Sequence, residues 1–331
     1  MRFVIYGAGA IGATLGAKLH IAGEDVVLIA RGRHLDALQA RGLRFQTPAG
    51  EETLAIPAAS SPDELEFDPS DVVLLTMKSQ DTAPALERLK ARAPSDVAIV
   101  CAQNGVENER LALRLFAHVY AMLVYLPAQH IEPGVVQAFA APTPGVLDLG
   151  CFPSGVDERA QAIAAAIDAA GIASLARVDI MRWKYAKLLT NLANAVEVLF
   201  GPGADGDWAQ RARAEATACY RAAAIDFTSE EEIRERRRAM GALQPVAGSA
   251  HAGGSSWQSL ERGAATLETD YLNGEIVLLG RLHGVPTPVN EALAETARRM
   301  SREGERPGSA DPGSLEAAVQ AFALAGAPTG H

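Results

Sequence analysis

The sequence predicts an α/β fold: an N-terminal Rossmann-type, doubly wound parallel sheet followed by an all-α C-terminal domain. Three observations carry that prediction. A glycine-rich turn, Gly7-Ala8-Gly9-Ala10-Ile11-Gly12, joins an apolar run to a helical pattern at the start of the chain. Short apolar runs then alternate with helix-like stretches as far as about residue 180. Beyond that point only helical patterns remain.

The strand-like runs fall at 3–6, 26–29, 72–76 and 97–101, with weaker ones at 119–124 and 146–149. A run such as Val72-Val73-Leu74-Leu75 has no polar alternation, which suits a strand covered on both faces of a parallel sheet. An alanine-rich helix at 157–170 stops at Gly171, and a last short strand is expected at 172–178. Helices follow at 180–200, 208–227, 230–241 and 257–283, and another starts after Thr287-Pro288, where Thr caps and Pro takes the first turn. The stretch 241–256, rich in Gly, Ser, Pro and His, reads as an ordered loop at a domain junction. The expected domains are thus a cofactor-binding Rossmann domain over 1–180 and a helical substrate domain over 181–305. Residues 306–331 read as a mobile tail with one weak helix near 315–325.

A chain of 331 residues exceeds what one core usually serves, so two domains are the default. Its 48% apolar and 21% charged residues give the balance of a soluble globular enzyme. Forty acidic against 30 basic residues leave a formal charge of -10, which repels nucleic acid and anionic membrane surfaces. An anionic ligand therefore needs local positive groups. Cys101, Cys151 and Cys219 are odd in number and widely spaced, which indicates neither a disulfide framework nor a metal site and points to a reducing cytoplasm. No long charge-free apolar run predicts a membrane span, and Met1 leads straight into strand pattern rather than a signal peptide.

The glycine turn follows a strand and precedes a helical stretch, the context that makes G-x-G-x-x-G specific for a dinucleotide. Gly7 permits the tight turn, Gly9 lets backbone approach a pyrophosphate, and Gly12 allows close helix packing; Ala10 and Ile11 open the helix whose N-terminus attracts the anion. Where NAD-preferring sites carry an acidic residue after the second strand, Arg31 stands, with Arg33 nearby. A guanidinium there pairs with a 2′-phosphate, so NADP(H) is the expected cofactor, the bland alternative being a solvated loop cation. Met77-Lys78 and Gln103-Asn104-Gly105 each follow a strand, at the carboxyl edge where open α/β sheets bind ligands. Lys78 reads equally as a surface lysine, and Asn104-Gly105 as a plain turn.

In the first helix of the second domain, Trp183, Lys187, Asn191 and Asn194 lie at steps of four, four and three, one polar stripe between apolar neighbours. Such a stripe suits the wall of a cleft or an ordinary solvated face. Glu268 shares a helical stripe with Ala265, Leu272, Ile276 and Leu279, where a carboxylate needs a partner.

These residues together make the chain resemble the ketopantoate reductase family, 2-dehydropantoate 2-reductases, over almost its whole length up to about residue 300. The likeness rests on Gly7 to Gly12, Met77-Lys78, Gln103-Asn104-Gly105, Lys187-Leu188 with Asn191, and the run from Ser255-Ser256 to Glu268-Thr269-Asp270-Tyr271-Leu272-Asn273-Gly274. The segment from His283-Gly284-Val285-Pro286 to Asn290 adds to it. The resemblance implies NADPH-dependent reduction of a 2-oxo acid with Lys187 as the catalytic lysine and Glu268 as the acidic residue beside the substrate. It also implies that Asn104, Asn191 and Ser256 hold the substrate and that Lys78 serves the cofactor side. The chain departs from the family at Ala195, Gly253 and Ala265, each in place of a polar residue. Loss of polar contacts loosens selectivity for one substrate. Two readings inside the enzyme class follow, ketopantoate itself or a different 2-oxo acid. A third, of another class, is a non-catalytic NADP(H)-binding sensor. The apolar helical domain also offers a surface for a homodimer.

Overall fold

The computed structural model describes residues 1–204, 206–249, 255–261 and 267–325. The chain divides into two compact units, Met1–Lys184 with Thr228–His251, and Tyr185–Phe227 with Ala252–His331.

In chain order the first unit contains β1 (Arg2–Tyr6), α1 (Ala10–Ile21), β2 (Asp25–Ile29), α2 (Gly32–Arg41), β3 (Leu43–Thr47), β4 (Gly50–Leu54), β5 (Ala58–Ala59), β6 (Val72–Leu75) and α3 (Thr82–Lys90). It continues through β7 (Ala98–Cys101), α4 (Asn108–Leu113), β8 (His118–Tyr125), β9 (Ala128–Glu132), β10 (Val135–Ala138), β11 (Ala140–Ala141), β12 (Val146–Cys151) and α5 (Glu158–Ala169). Helix α6 (Ile180–Asn191) starts in the first unit and ends in the second, which goes on with α7 (Ala193–Phe200) and α8 (Gly206–Ala222). The chain then returns to the first unit for α9 (Glu230–Arg237) and β13 (Ala242–Leu243). It completes the second with α10 (Ser255–Glu261), α11 (Asn273–His283), α12 (Pro288–Glu303) and α13 (Pro312–Ala325).

A seven-stranded sheet of order β12-β8-β7-β6-β1-β2-β5 organises the first unit. It is parallel except for β12, which runs antiparallel to β8. The uninterrupted apolar runs are explained by burial on both sides. Phe3, Ile5, Val72 and Leu74 join a core with Leu15 and Leu19 of α1 and Ile163 and Ile167 of α5. Their neighbours Val4, Tyr6, Val73 and Leu75 face the opposite core, with Leu86 and Leu89 of α3 and Phe116.

Several elements differ from the sequence expectation. A second sheet, β4-β3-β10-β9, was not foreseen: its β4 is mostly exposed and carries Glu51 and Glu52, so it lacks the apolar signal of a buried strand. At 172–178 isolated bridges replace the expected strand. There the Leu175 amide donates to the buried Asp148 carboxylate at 3.0 Å and the Ser174 hydroxyl to the Leu147 carbonyl at 2.6 Å. Asp148 also accepts from Arg177 at 2.5 Å and from Arg236 of α9 at 2.6 Å. That arginine, with the β11–β13 pairing, ties residues 228–249 to the first unit rather than to the helical one.

In the helical unit the expected helix 180–200 divides at Leu192 into α6 and α7. The expected helix 257–283 becomes α10, a 3-10 turn at Glu268–Tyr271, and α11. The buried Asn273 accounts for the register of both breaks, donating to the Leu192 carbonyl at 3.4 Å and to Asn290 Oδ1 at 3.0 Å. Thr287 makes no side-chain cap on α12. Glu215 of α8 does so instead, accepting from the Val289 amide at 2.8 Å and the Asn290 amide at 3.0 Å. Residues 312–325, read from sequence within a mobile tail, form α13, with Leu315 and Val319 buried and Glu316 paired to Arg211 at 2.8 Å.

Candidate active site

Strand β1 ends in the glycine turn at the carboxyl edge of the large sheet. Gly7 takes φ +108, open to glycine at little cost, and a Cβ on it would stand 2.7 Å from the Met77 amide nitrogen. On Gly12 a Cβ would meet the Gly7 carbonyl at 2.5 Å, so α1 packs directly on the turn. Gly9 differs: a Cβ there would meet nothing within 4 Å. It is the N-cap of α1 and offers no side-chain cap, which leaves the first-turn amides of Ala10, Ile11 and Gly12 to an outside acceptor. Close backbone where the fold needs it, open space at the middle glycine and an uncapped helix end fit a pyrophosphate.

Arg31 is exposed at the N-cap of α2, directly after β2. Its charge bears on the Tyr6 hydroxyl, whose titration burial pushes up and this guanidinium opposes. Across the edge, Lys78 stands at the N-terminus of a short 3-10 turn after β6, and Asn104 follows β7, half-buried. The two loops are joined by a network in which Thr82, Asn108, Glu109 and Lys184 were not among the residues expected at the site. Gln103 donates to the Met77 carbonyl at 3.0 Å and to Thr82 Oγ1 at 2.7 Å; Thr82 donates to Asn108 Oδ1 at 2.8 Å. Asn108 in turn donates to Ser79 Oγ at 3.0 Å and to the Asn104 carbonyl at 3.2 Å. Lys184 completes it, bonded to the Gln103 carbonyl at 3.1 Å and ion-paired with the fully buried Glu109. A signal for that pair existed in the sequence, a lysine between the aromatic Trp183 and Tyr185. The structure thus brings Gly7 to Gly12, Arg31, Lys78 and Asn104 to one edge of one sheet.

In the helical unit, Lys187 is half-buried on α6, and Asn191 ends that helix 5% exposed. Ser256 lies on α10, which packs against α7, and is 1% exposed. Glu268 opens the 3-10 turn and is 4% exposed. Asn191 Oδ1 and Ser256 Oγ have no hydrogen-bond partner among the described residues. The stripe is polar only from Lys187 onward, because its first member, Trp183, is a core residue. Its ring packs with Ala121, Leu123, Tyr125 and Val146 of the first unit, beneath the Arg177 guanidinium at 3.8 Å. Asn194 falls beyond the break, on α7. Glu268 likewise leaves its expected helical stripe, because α11 begins only at Asn273. Of the departures, Ala195 is fully buried on α7, whereas Gly253 and Ala265 lie outside the described residues.

Two family models match the chain, Ketopantoate reductase PanE/ApbA over residues 3–154 and its C-terminal counterpart over residues 179–301. The 2-dehydropantoate 2-reductase of Mesorhizobium japonicum is 33% identical, with 92% of this chain and 98% of that protein aligned. The chain belongs to the ketopantoate reductase family. The enzyme of that name from Pyrococcus horikoshii is 29% identical over 88% of this chain and 95% of its own. A PanE/ApbA family ketopantoate reductase from Ralstonia eutropha superposes with TM-score 0.77 at 28% identity, covering 92% and 100% of the two chains. D-mandelate dehydrogenase, solved with NADH and anilino(oxo)acetate, shares the fold with TM-score 0.77 at 22% identity, covering 92% and 99%. As a member of the ketopantoate reductase family the protein is a nicotinamide-dependent oxidoreductase acting on a 2-oxo acid, and the sensor reading gives way to an enzyme. Among the described residues no helix is long and apolar enough to cross a membrane.

Proposed function

We propose that the protein reduces 2-dehydropantoate to pantoate with NADPH, Lys187 acting as general acid. The observation that carries this reading is the pair of buried polar atoms, Asn191 Oδ1 and Ser256 Oγ, without partners among the described residues. Left dry, each such group costs about 1–3 kcal/mol, which a bound ligand bearing hydroxyl and carboxylate groups offsets.

Gly7, Gly9, Ala10, Ile11 and Gly12 would hold the pyrophosphate, Arg31 the 2′-phosphate, and Lys78 with Asn104 the remainder of the cofactor side. The bound dihydronicotinamide supplies the hydride. Lys187 presents an ammonium proton to the keto oxygen. As the carbonyl becomes a C–O single bond, that oxygen takes the proton from Nζ, and solvent restores it. Asn191 and Glu268 fix the polar groups of the substrate and Ser256 its carboxylate. One 2-oxo acid, one NADPH and one proton become one 2-hydroxy acid and NADP+.

The preference for NADPH rests on Arg31. Arg31→Ala is expected to raise the KM for NADPH about tenfold and to move that for NADH by about twofold or less. An unchanged ratio of the two constants removes the preference.

A second reading, a different 2-oxo acid, is favoured by Ala195, an apolar side chain fully buried where the resembling family carries asparagine. NADPH oxidation against a panel of 2-oxo acids, ketopantoate included, separates the two. The highest kcat/KM for ketopantoate supports the first reading, and a higher value for another acid replaces it with the second. A homodimer belongs to the same proposal, supported by Leu278 and Leu282, exposed one turn apart on α11. So does a cytoplasmic setting, in keeping with the three free thiols.

A further inference from the structure

His34 lies in the first turn of α2, three residues after Arg31, half-buried against two other parts of the first unit. Its Nε2 stands 2.7 Å from the carbonyl oxygen of Ala8, inside the glycine turn. Its Nδ1 accepts the Gly134 amide at 2.9 Å, and His130 Nε2 lies 3.1 Å from the same nitrogen. A backbone amide only donates, so Nδ1 carries no proton. The ring is therefore the neutral Nε2–H tautomer, donating to Ala8.

That bond controls one peptide plane. The carbonyl of Ala8 and the amide of Gly9 belong to the same rigid unit and point in opposite directions. The Gly9 amide is bonded to the Gly7 carbonyl at 2.7 Å, and the Ala8 carbonyl to His34. Held at both ends, the plane fixes the backbone direction entering Gly9 and the first-turn amides of α1.

Gly134 reaches His34 because the β9–β10 turn lies close against α2. It has φ +86, and a Cβ on it would stand 3.0 Å from the Ala37 Cβ. Its carbonyl also accepts the Arg44 amide of β3 at 2.8 Å. The small sheet thereby props the imidazole.

We propose that His34 is a positioning residue for the cofactor, clamping the glycine turn in its anion-binding shape only while its ring is neutral. This rests on the reading of the turn as an NADP(H) site. Protonating the ring would aim an N–H at the Gly134 amide and dissolve the clamp's support. From β9, His130 is the titratable side chain facing it; the β9–β10 turn and the glycine turn present only backbone groups. Burial holds the imidazole below its ordinary value of 6.5, opposed by the Ala8 bond, and no charged side chain contributes.

The test is the Kd for NADP+ by titration calorimetry, with the melting temperature of the cofactor-free protein measured alongside. His34→Asn keeps an acceptor for Gly134 but cannot reach Ala8; His34→Gln can carry an amide donor to Ala8. The Asn variant is expected to bind about tenfold more weakly at pH 7.5, and the Gln variant within about threefold of the native protein. Below pH 6.5 the native Kd should rise more steeply than that of His34→Gln, in which titration of the NADP+ phosphate itself remains. Unchanged Kd in His34→Asn with a lowered melting temperature would mark a merely structural residue and overturn the inference. Equal pH profiles for the native and Gln proteins overturn it as well. Failure of the native protein to bind NADP+ at all would overturn the dinucleotide reading and the clamp with it.

Discussion

Replacing Lys187 by alanine is expected to lower kcat for 2-oxo acid reduction by about a thousandfold or more, with the Kd for NADP(H) moving by about twofold at most. The lysine would do two things at one oxygen, meeting the growing negative charge and giving up a proton. Removing either function alone costs a smaller factor. Lys187→Arg separates them: it keeps a cation, but its proton is held far too tightly for transfer at neutral pH. The arginine variant should therefore recover only part of the loss, and its rate should not rise as pH falls from 8 to 6. Single-turnover oxidation of NADPH reads the chemical step directly. A Lys187→Ala enzyme of near-normal turnover would move the acid elsewhere, with Glu268 the next candidate.

Lys184→Met is expected to destabilise the protein by about 3–5 kcal/mol, because it strands a buried carboxylate. Lys184 is 3% and Glu109 0% exposed, so no water replaces the lost partner. The double variant Lys184→Met with Glu109→Leu should regain most of that stability in urea unfolding, since an apolar pair can replace a buried ion pair at little net cost. It should not regain function equally. The Gln103 carbonyl, 3.1 Å from Lys184 Nζ, would still lack its donor, and it immediately precedes Asn104. A KM for the 2-oxo acid raised several-fold in a double variant of near-native stability is the expected signature. Full recovery of both would make the pair purely a matter of stability.

The sequence and the structure part company along a physical line. Features written by local geometry were legible: the glycine spacing that a tight strand-to-helix turn demands, the apolar runs of strands covered on both faces, and the four-residue step from Lys187 to Asn191. Features written by partners distant in the chain were not. Strand β3 pairs with β10 some 90 residues away, and Arg44 and Gln46 on β3, with Glu51 and Glu52 on its neighbour β4, hide the sheet from a reading based on apolar runs. Helical periodicity runs unbroken through Leu192 and Leu272 because the breaks follow Asn273, a tertiary contact. Thr287 has the residue type of a cap, but Glu215 of α8 already supplies two acceptors to that helix end. In the candidate site, Asn104 was visible as part of a loop motif and Lys184 as a charge between two aromatic residues, while Glu109 and Asn108, which hold that loop from beneath, became visible only through their contacts.

The return of residues 228–251 to the first unit bears on how such a protein can be altered. The chain passes from one unit to the other three times, after Lys184, after Phe227 and after His251. Neither half is a contiguous cassette, so recombination at a single junction exchanges neither. A fragment ending at Lys184 would retain Arg177 for the buried Asp148 but not Arg236, leaving its core carboxylate with half its cations. Grafting a foreign helical unit to change the substrate would take two inserts, over 185–227 and from 252 onward, around a native 228–251 kept in place.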